Sequence, residues 1–590
     1  MKKHHLFFLF SICAIALTGQ TSDSFITYCE QFDFKKTPRY AETVDFCKRL
    51  AEASPLAHYT TFGKSPQGRD LPLLIVDKDQ LFTPGAVRQT DKVVMLVEAC
   101  IHAGEPDGKD AGLMFLRDLL IHKKHRDILD HVTILFIPIF NVDGHENFSS
   151  MNRINQNGPE ELGSRITAQN RNLNRDFLKA DALEMHHWLN LYHAWLPELF
   201  MDIHVTNGAD FQYVSTYGIE LSNHNMEANI RKWAKEVYEK QFQAQMHAAG
   251  YPVFPYFEPF SWNNADLGIV CQSYPPQYSN GYAAAMNRVG VLVENHIYKP
   301  YEQRVKATYE MIRISGQILR NDYKNLRRSI ELSDQIVASS AFRVEPMPLG
   351  YQTSRQDSVM IDFLAWGKKT IKSDLSGADW TSHDYDNPIT ISVGLYDVPI
   401  VTQSVRLPDA YIIKPECLDA IAVLDRHHIQ YTRLQEGALM LVETHRFTRV
   451  QFSQRQNEGR ITVTPEFTTQ PERVYYPAGS VLVSMNQIRA RLIAHLFEPN
   501  GPTSLVYWGH FMPWCQPASE FYINVGYMEV KGREMLAQDP LLRKAFEEKK
   551  AADPAFANNP QAILMFFMTE LRKNVEPTNN QYPVGRIFYR

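Results

Sequence analysis

Residues 92–121, KVVMLVEACIHAGEPDGKDAGLMFLRDLLI, constrain the fold more than any other stretch of the chain. Residues 93–97 are an unbroken apolar run, the pattern of a strand buried on both faces, whereas Ala111, Leu113, Met114, Leu116, Leu119 and Leu120 return at roughly helical spacing. Strand, sharp turn and amphipathic helix in that order predict an open α/β sheet. The turn carries His102 and Glu105, and in such sheets ligands bind outside the carboxyl ends of the strands. An imidazole nitrogen and a carboxylate oxygen so close in sequence can reach one cation, zinc being the ordinary case. By itself, His-x-x-Glu also reads as a surface histidine beside a solvated glutamate. A third ligand and a base downstream are needed to make it a metal site.

At 590 residues the chain exceeds what one hydrophobic core serves, so two or three domains are expected. Hydrophobic residues at 44% and charged residues at 22% are those of a soluble globular protein. A net charge of -5, with no basic stripe interleaved with aromatics, argues against a nucleic-acid footprint. Residues 1–19 begin with Lys2 and Lys3, continue through an apolar run over 6–17 and end in small residues, the layout of a signal peptide. Export to the periplasm or the exterior follows, an uncleaved anchor being the alternative, although the run is short for a bilayer span. No later stretch is apolar enough to span a membrane. Of the seven cysteines, Cys13 lies in this leader; export permits disulfides without requiring them, and Cys29 and Cys47 are the nearest pair left, bridged or free. The absence of Cys-x-x-Cys argues against a thiolate metal site.

The search for the missing ligands proceeds along the chain. Residues 40–56 read as a helix, and residues 59–62 and 71–76 as strands of a hairpin at the sheet edge. Residues 132–139, VTILFIPI, have the β-branched character of a central strand. The polar loop over 148–176 is of a length that is usually functional or disordered, and its Asn and Arg content favours function. It holds Arg153 and the run NRNLNRDF, for which two readings stand open: bidentate recognition of an anionic group, or a solvated basic loop. His186 and His187, adjacent on a helix over 182–194, point about a hundred degrees apart and cannot share a metal, so they read as surface residues. Residues 197–205, PELFMDIHV, form a strand that ends in His204. Together with His102 and Glu105 it makes a His, Glu, His set that leaves a fourth position for water, the composition of a catalytic rather than a structural zinc site. In residues 287–298, NRVGVLVENHIY, the apolar run stops at Glu294, and a carboxylate there is expensive unless it faces a cleft. A general base beside the metal is such a role.

His102-x-x-Glu105, Arg153, Leu173-Asn174-Arg175-Asp176-Phe177, Asp202-Ile203-His204 and Val293-Glu294, in this order over residues 40–318, resemble the zinc carboxypeptidases of the carboxypeptidase A type. The resemblance implies an α/β fold, a mixed eight-stranded sheet with helices on both faces. It implies one zinc per chain, held by His102, Glu105 and His204, with Glu294 as general base and Arg153 polarising the scissile carbonyl. Asn174 and Arg175 would clamp the terminal carboxylate of a peptide, and one of Tyr274, Tyr278 and Tyr282, with Tyr278 preferred, would cover it. Asn172 stands where the family often has an aspartate behind the first histidine, so an amide replaces a charge. Arg171 is either a further cation beside the clamp or a surface residue.

The expected division is a signal peptide over 1–19, a catalytic domain over 20–335 and a β-rich accessory region with C-terminal helices over 336–590. Short alternating runs at 389–394, 461–464 and 480–484 carry the accessory expectation, with a short helix near 416–427, another over 487–497 and a largely helical end over 539–574. The expected activity is zinc-dependent hydrolysis of a C-terminal peptide bond. The same site could serve a cell-wall stem-peptide hydrolase or an amide deacylase, and a catalytically silent binding module is a third reading. For side-chain selection, Glu258, Asp266 and the aromatics of FPYFEPFSW (254–262) are the candidates.

Overall fold

The apolar runs become the centre of an eight-stranded mixed sheet in the computed structural model. The structure describes residues 25–589 except 209, 223–224, 261–267, 516–523 and 574–579; the leader, Trp262 and Asp266 lie outside the described residues. The strands are β1 (Ala57–Lys64), β2 (Asp70–Val76), β3 (Val93–Ala99), β4 (Val132–Ile137), β5 (Leu199–Val205), β6 (Ser215–Gly218), β7 (Val253–Pro255) and β8 (Val289–Asn295). Their spatial order is β1-β2-β4-β3-β5-β8-β6-β7. The central strands β4, β3, β5 and β8 pair in parallel, and β1 with β2, β2 with β4 and β6 with β8 pair antiparallel. Burial on both faces explains why the parallel strands read as continuous apolar runs and not as alternation.

Alternate residues of those strands feed two cores. Val94 and Leu96 of β3 pack with Met185, Trp188 and Leu189 of the helix Leu183–Trp195 on one face. Met95 and Val97 pack with Leu116 of the helix Asp107–Leu120 and with Met311 and Ile312 of the helix Tyr301–Val337 on the other. Gly108 and Gly112 let Asp107–Leu120 lie close to the sheet, since a Cβ would come within 2.7 Å of Ile203 and 2.3 Å of Phe136 respectively. That approach fixes the turn carrying His102 and Glu105 over the ends of β3 and β5. His187, expected at the surface, instead packs against β1, where a Cβ on Gly63 would meet its ring at 2.2 Å.

Cys29 and Cys47, the pair whose bridging the sequence left open, are not joined. Both residues are free and buried in the apolar core that also holds Phe46 and Leu50, where a thiol packs as a small hydrophobe.

The second half is β-rich, as its turn-broken runs anticipate, and the helices Leu418–Arg426 and Ala490–Phe497 fall where expected. Its strands are longer than those runs suggest. A hairpin of β9 (Val359–Lys372) and β10 (Asp379–Tyr396) pairs through the short strand Ile269–Val270 with the first half of the chain. A six-stranded sheet includes a second long hairpin, Ala438–Phe452 with Val463–Tyr476. The helices Val525–Gln538, Pro540–Ala552 and Pro560–Lys573 follow, with a small core around Phe546 and Phe567.

Candidate metal centre and substrate cleft

Three chain segments meet at the carboxyl ends of β3, β5 and β8. After β3 the backbone turns sharply at Cys100, which takes a φ of 57°, a left-handed conformation uncommon for a residue with a Cβ. His102 and Glu105 follow before the helix begins at Asp107. His204 belongs to β5 and lies directly opposite Glu294 of β8 in the parallel register. Side chains at paired positions share a face, so ligand and acid emerge side by side.

One donor atom from each of His102, Glu105 and His204 lies within 4.8 Å of the others, and all three residues are buried. His102 Nδ1 is 3.1 Å from His204 Nδ1 and 3.2 Å from Glu105 Oε1, and His204 Nδ1 is 3.0 Å from Glu105 Oε2. The far edges of the imidazoles are tied down: His102 Nε2 to Asn172 Oδ1 at 3.1 Å, His204 Nε2 to Asp202 Oδ2 at 2.7 Å. A ring that donates from Nε2 and carries no proton at Nδ1 presents a lone pair there, so in that state both imidazoles aim acceptors at a shared point beside a carboxylate. Two lone pairs and a carboxylate converging on one point fit a cation, and nitrogen and oxygen donors of this kind fit zinc. Asn172 fills the place behind His102 with an uncharged acceptor. Burial pushes His102 down to about 4 against the pull of Glu105, so it is neutral at neutral pH. At His204 burial has the same effect but is outweighed by Asp202 and Glu105, which raise it, so metal entry there displaces a proton.

Glu294 stands next to this set. Burial pushes its carboxyl up to about 7, the charge of Glu105 adding to the effect while His204, Arg153 and Arg165 oppose it. Its Oε2 has no hydrogen-bond partner among the described residues. Tyr256, just after β7, faces the same acid: the charge of Glu294 is the largest influence raising its phenol, ahead of burial. Only its place among the aromatics of FPYFEPFSW marks it in the sequence.

The two loop arginines part company. Arg153, expected over the scissile carbonyl, has all five N–H groups engaged. Nε donates to Gln156 Oε1 at 2.6 Å, Nη1 to Glu105 Oε1 at 2.8 Å and Asn207 Oδ1 at 3.4 Å, and Nη2 to the carbonyls of Val205 and Thr206 at 3.0 and 2.8 Å. It braces Glu105 and the end of β5 and has no donor left for a substrate. Arg165 instead reaches the mouth of the site, its Nη1 donating to His102 Nδ1 at 3.1 Å and lying 3.5 Å from Glu105 Oε1, with 38% of the side chain exposed. Nothing in the sequence of a polar loop tells which of its arginines is engaged elsewhere in the fold.

Asn174 and Arg175 sit on a short turn of helix beside His204. Asn174 Nδ2 lies 3.4 Å from His204 Nε2, and its Oδ1 accepts from the backbone of Ser279 at 3.4 Å. Arg175 Nη1 donates to the Asn174 carbonyl at 2.7 Å, and its guanidinium lies 4.4 Å from the centre of the Tyr278 ring. Of the other tyrosines, Tyr282 is buried between His193 and His427, bonded to both, and the Tyr274 hydroxyl is enclosed. Arg171 points away to the carbonyl of Glu458 at 3.1 Å. Glu258 is exposed and takes a hydrogen bond from Gln272, so it forms no buried floor.

Residues 43–332 match the model of a family described as zinc carboxypeptidase. No curated protein matches the chain. Among solved structures it is similar to a metallo-carboxypeptidase from Pseudomonas aeruginosa at 16% identity, over 49% of this chain and 70% of that one, with a TM-score of 0.37. Carboxypeptidase A from Helicoverpa armigera shares 17% identity over 49% of this chain and 75% of its own, TM-score 0.37. A metallo-carboxypeptidase from Burkholderia cenocepacia shares 15% over 48% and 69%, TM-score 0.36.

Proposed function

Since residues 43–332 belong to the zinc carboxypeptidase family and the chain is therefore a zinc metallopeptidase, we propose that it removes residues from the free C-terminal end of peptides. One observation carries this reading: the carboxylate clamp is coupled to the metal set, because Asn174 touches His204 while Arg175 rests on the Asn174 carbonyl. An anion held by Arg175 therefore lies at a short, fixed offset from the ligands, and the bond presented for cleavage is the one next to the free carboxylate.

His102, Glu105 and His204 would hold the zinc, which when bound supplies Lewis acidity to water and to a carbonyl. The chain's own groups do the rest. Glu294, with one oxygen free of partners, takes the proton from the attacking water and hands it to the leaving amine. Arg165 donates to the oxygen on which charge develops, the role that the resemblance implies for Arg153, and it does so in a cleft where water screens little. Arg175 forks onto the terminal carboxylate, and the Tyr278 face beneath its guanidinium holds the fork in place before substrate arrives. Tyr256, whose phenol responds to the charge of Glu294 more than to any other influence, would cover the substrate.

Chemistry outside the cytoplasm is part of the proposal and rests on residues 1–19; no described helix is long and apolar enough to cross a membrane. A second reading, the same hydrolysis on cell-wall stem peptides, is favoured by a wide polar cavity with exposed aromatic rings beside Asn207. The test is a peptide set offered as free acids and as C-terminal amides, with and without a chelator. Single residues are expected to leave the free acids only, to stop leaving on chelation and to resume with added zinc. Equal cleavage of the amides would overturn the carboxylate-clamp reading.

A further inference from the structure

We propose that the β9–β10 hairpin walls an extension of the cleft that binds a sugar ring carried by the peptide substrate. The proposal rests on the peptidase reading and adds a substrate class to it.

The hairpin belongs to the second half of the chain but is locked to the loop that follows His204. The Gln212 side chain donates to the carbonyls of Ala365 and Ile389 at 2.6 and 2.9 Å, and the Gln212 backbone donates to Leu364 at 3.3 Å. Phe363 is enclosed by Phe211, Tyr213, Phe254 and Phe257, with ring centres 4.9 to 5.3 Å away. Asp210 is clasped from both sides, by Lys299 Nζ at 2.8 Å and by the hydroxyl of Tyr385 in β10 at 2.5 Å. So many long-range contacts make a fixed wall and not a swinging flap.

Between this wall and the loop lies a cavity of about 990 Å³, at the upper end of ordinary small-molecule sites. Asn207 lines it and also touches Arg153, which is bonded to Glu105, so the cavity lies one bridging side chain away from the metal set. The clamp approaches the centre by another route, through the far edge of His204. The cavity is thus placed for the part of the substrate distant from its carboxylate.

Its lining pairs aromatic faces with hydrogen-bonding side chains. Tyr298, Trp380 and Tyr385 line it with exposures of 41, 51 and 59%, alongside Asn157, Asn207, Asp379 and Ser382. His383, also in the lining, has a buried Nδ1 with no partner among the described residues. An apolar side chain would use the rings and strip water from the amides and the acid without replacing it. A charged side chain would leave the rings uncovered. A pyranose satisfies both, its C–H face on an aromatic ring and its equatorial hydroxyl or acetamido groups on planar donors and acceptors.

The test uses the full-length, zinc-loaded protein and one free-acid peptide in three forms: bare, with N-acetylmuramic acid on its amino end, and with O-linked N-acetylglucosamine on an internal serine. At least one sugar-bearing form is expected to show a KM about tenfold below that of the bare peptide, and which one identifies the source of the sugar. In Trp380→Ala the ratio between the two forms should fall to about one. No sugar preference in the unaltered protein overturns the proposal. A preference that survives Trp380→Ala and Asp379→Asn overturns it too, and a parallel fall for both forms reassigns the wall to peptide binding. Binding of a soluble N-acetylglucosamine trimer, followed by calorimetry, separates the proposal from the peptidase reading. Binding lost in Trp380→Ala supports the sugar site even if no peptide is cut, and absence of both binding and preference overturns it.

Discussion

The metal set and the walls of the cleft are made in different ways. His102, Glu105 and His204 are delivered by two adjacent parallel strands whose apolar runs fix where they end, and Glu294 by the next strand in register. The walls are delivered by long-range contacts with the second half of the chain. Arg460 holds Asp181 with Nε and Nη2, each at 2.6 Å, Asp181 also takes Lys179 Nζ at 3.1 Å, and Arg171 rests on the Glu458 carbonyl, so the loop with Asn174 and Arg175 is pinned from the six-stranded sheet. A centre built from strand ends is robust and generic. A wall built from remote contacts is where substrate preference can change without disturbing the chemistry.

The sharpest way to break that comparison is to damage the centre alone. Glu294→Gln should lower kcat by about 10³-fold, the span of general-base catalysis, while the protein keeps its zinc. His204→Ala should lose the metal as well, as read by metal analysis on the purified chain. If Glu294→Gln were to turn over near normally, Glu294 could not be the base.

The two arginines sharpen it next. Arg165→Ala should cost about 10²-fold in kcat with little change in thermal stability, because the side chain is partly exposed and donates only to the site. Arg153→Ala should instead lower Tm and weaken zinc retention, since it leaves the buried Glu105 carboxylate without its guanidinium. Reversed outcomes would return the carbonyl-polarising role to Arg153.

Much of the centre was legible because its information is local: an apolar run marks a strand, and the polar residue that stops it marks the strand's end. The eight-stranded sheet followed from the resemblance carried by those same strand ends. The choice between Arg153 and Arg165 was not legible, because it depends on the carbonyls of Val205 and Thr206, which lie far away in sequence. The hairpin was half legible. Residues 389–394 alternate where β10 packs against the first half, but toward its far end both faces are exposed, as at Lys368, Lys369 and Trp380, and no hydrophobic period remains to be read.

A milder break tests the pinning from the other side. Arg460→Ala removes a bidentate contact outside the cleft, yet it should raise KM for free-acid peptides by about tenfold, leaving zinc content and kcat near their original values. A KM that does not move would mean that the clamp loop holds its shape without the second half, and the comparison would lose its main support.

The smallest effect should appear in stability alone. Glu184 opens the helix that follows the clamp loop and is fully buried; burial, then the charges of Asp143 and Asp176, push its carboxyl up to about 7. Below pH 4.5 the acid is protonated in folded and unfolded chains alike and contributes nothing. Between pH 4.5 and 7 the unfolded chain ionises while the folded one keeps its proton, so stability falls as pH rises, by about 3 kcal/mol in all, and is flat above. Glu184→Gln abolishes this titration but leaves an amide to be satisfied, so its absolute stability is a separate matter. The quantity that isolates the effect is the gap in urea midpoint between variant and unaltered protein, which should shift in favour of the variant from pH 5 to pH 8 with turnover unchanged. An equal gap at both pH values would show that Glu184 is already ionised in the fold, and that the wall beside the clamp carries no uncompensated acid to set against the well-paired carboxylate of Glu105.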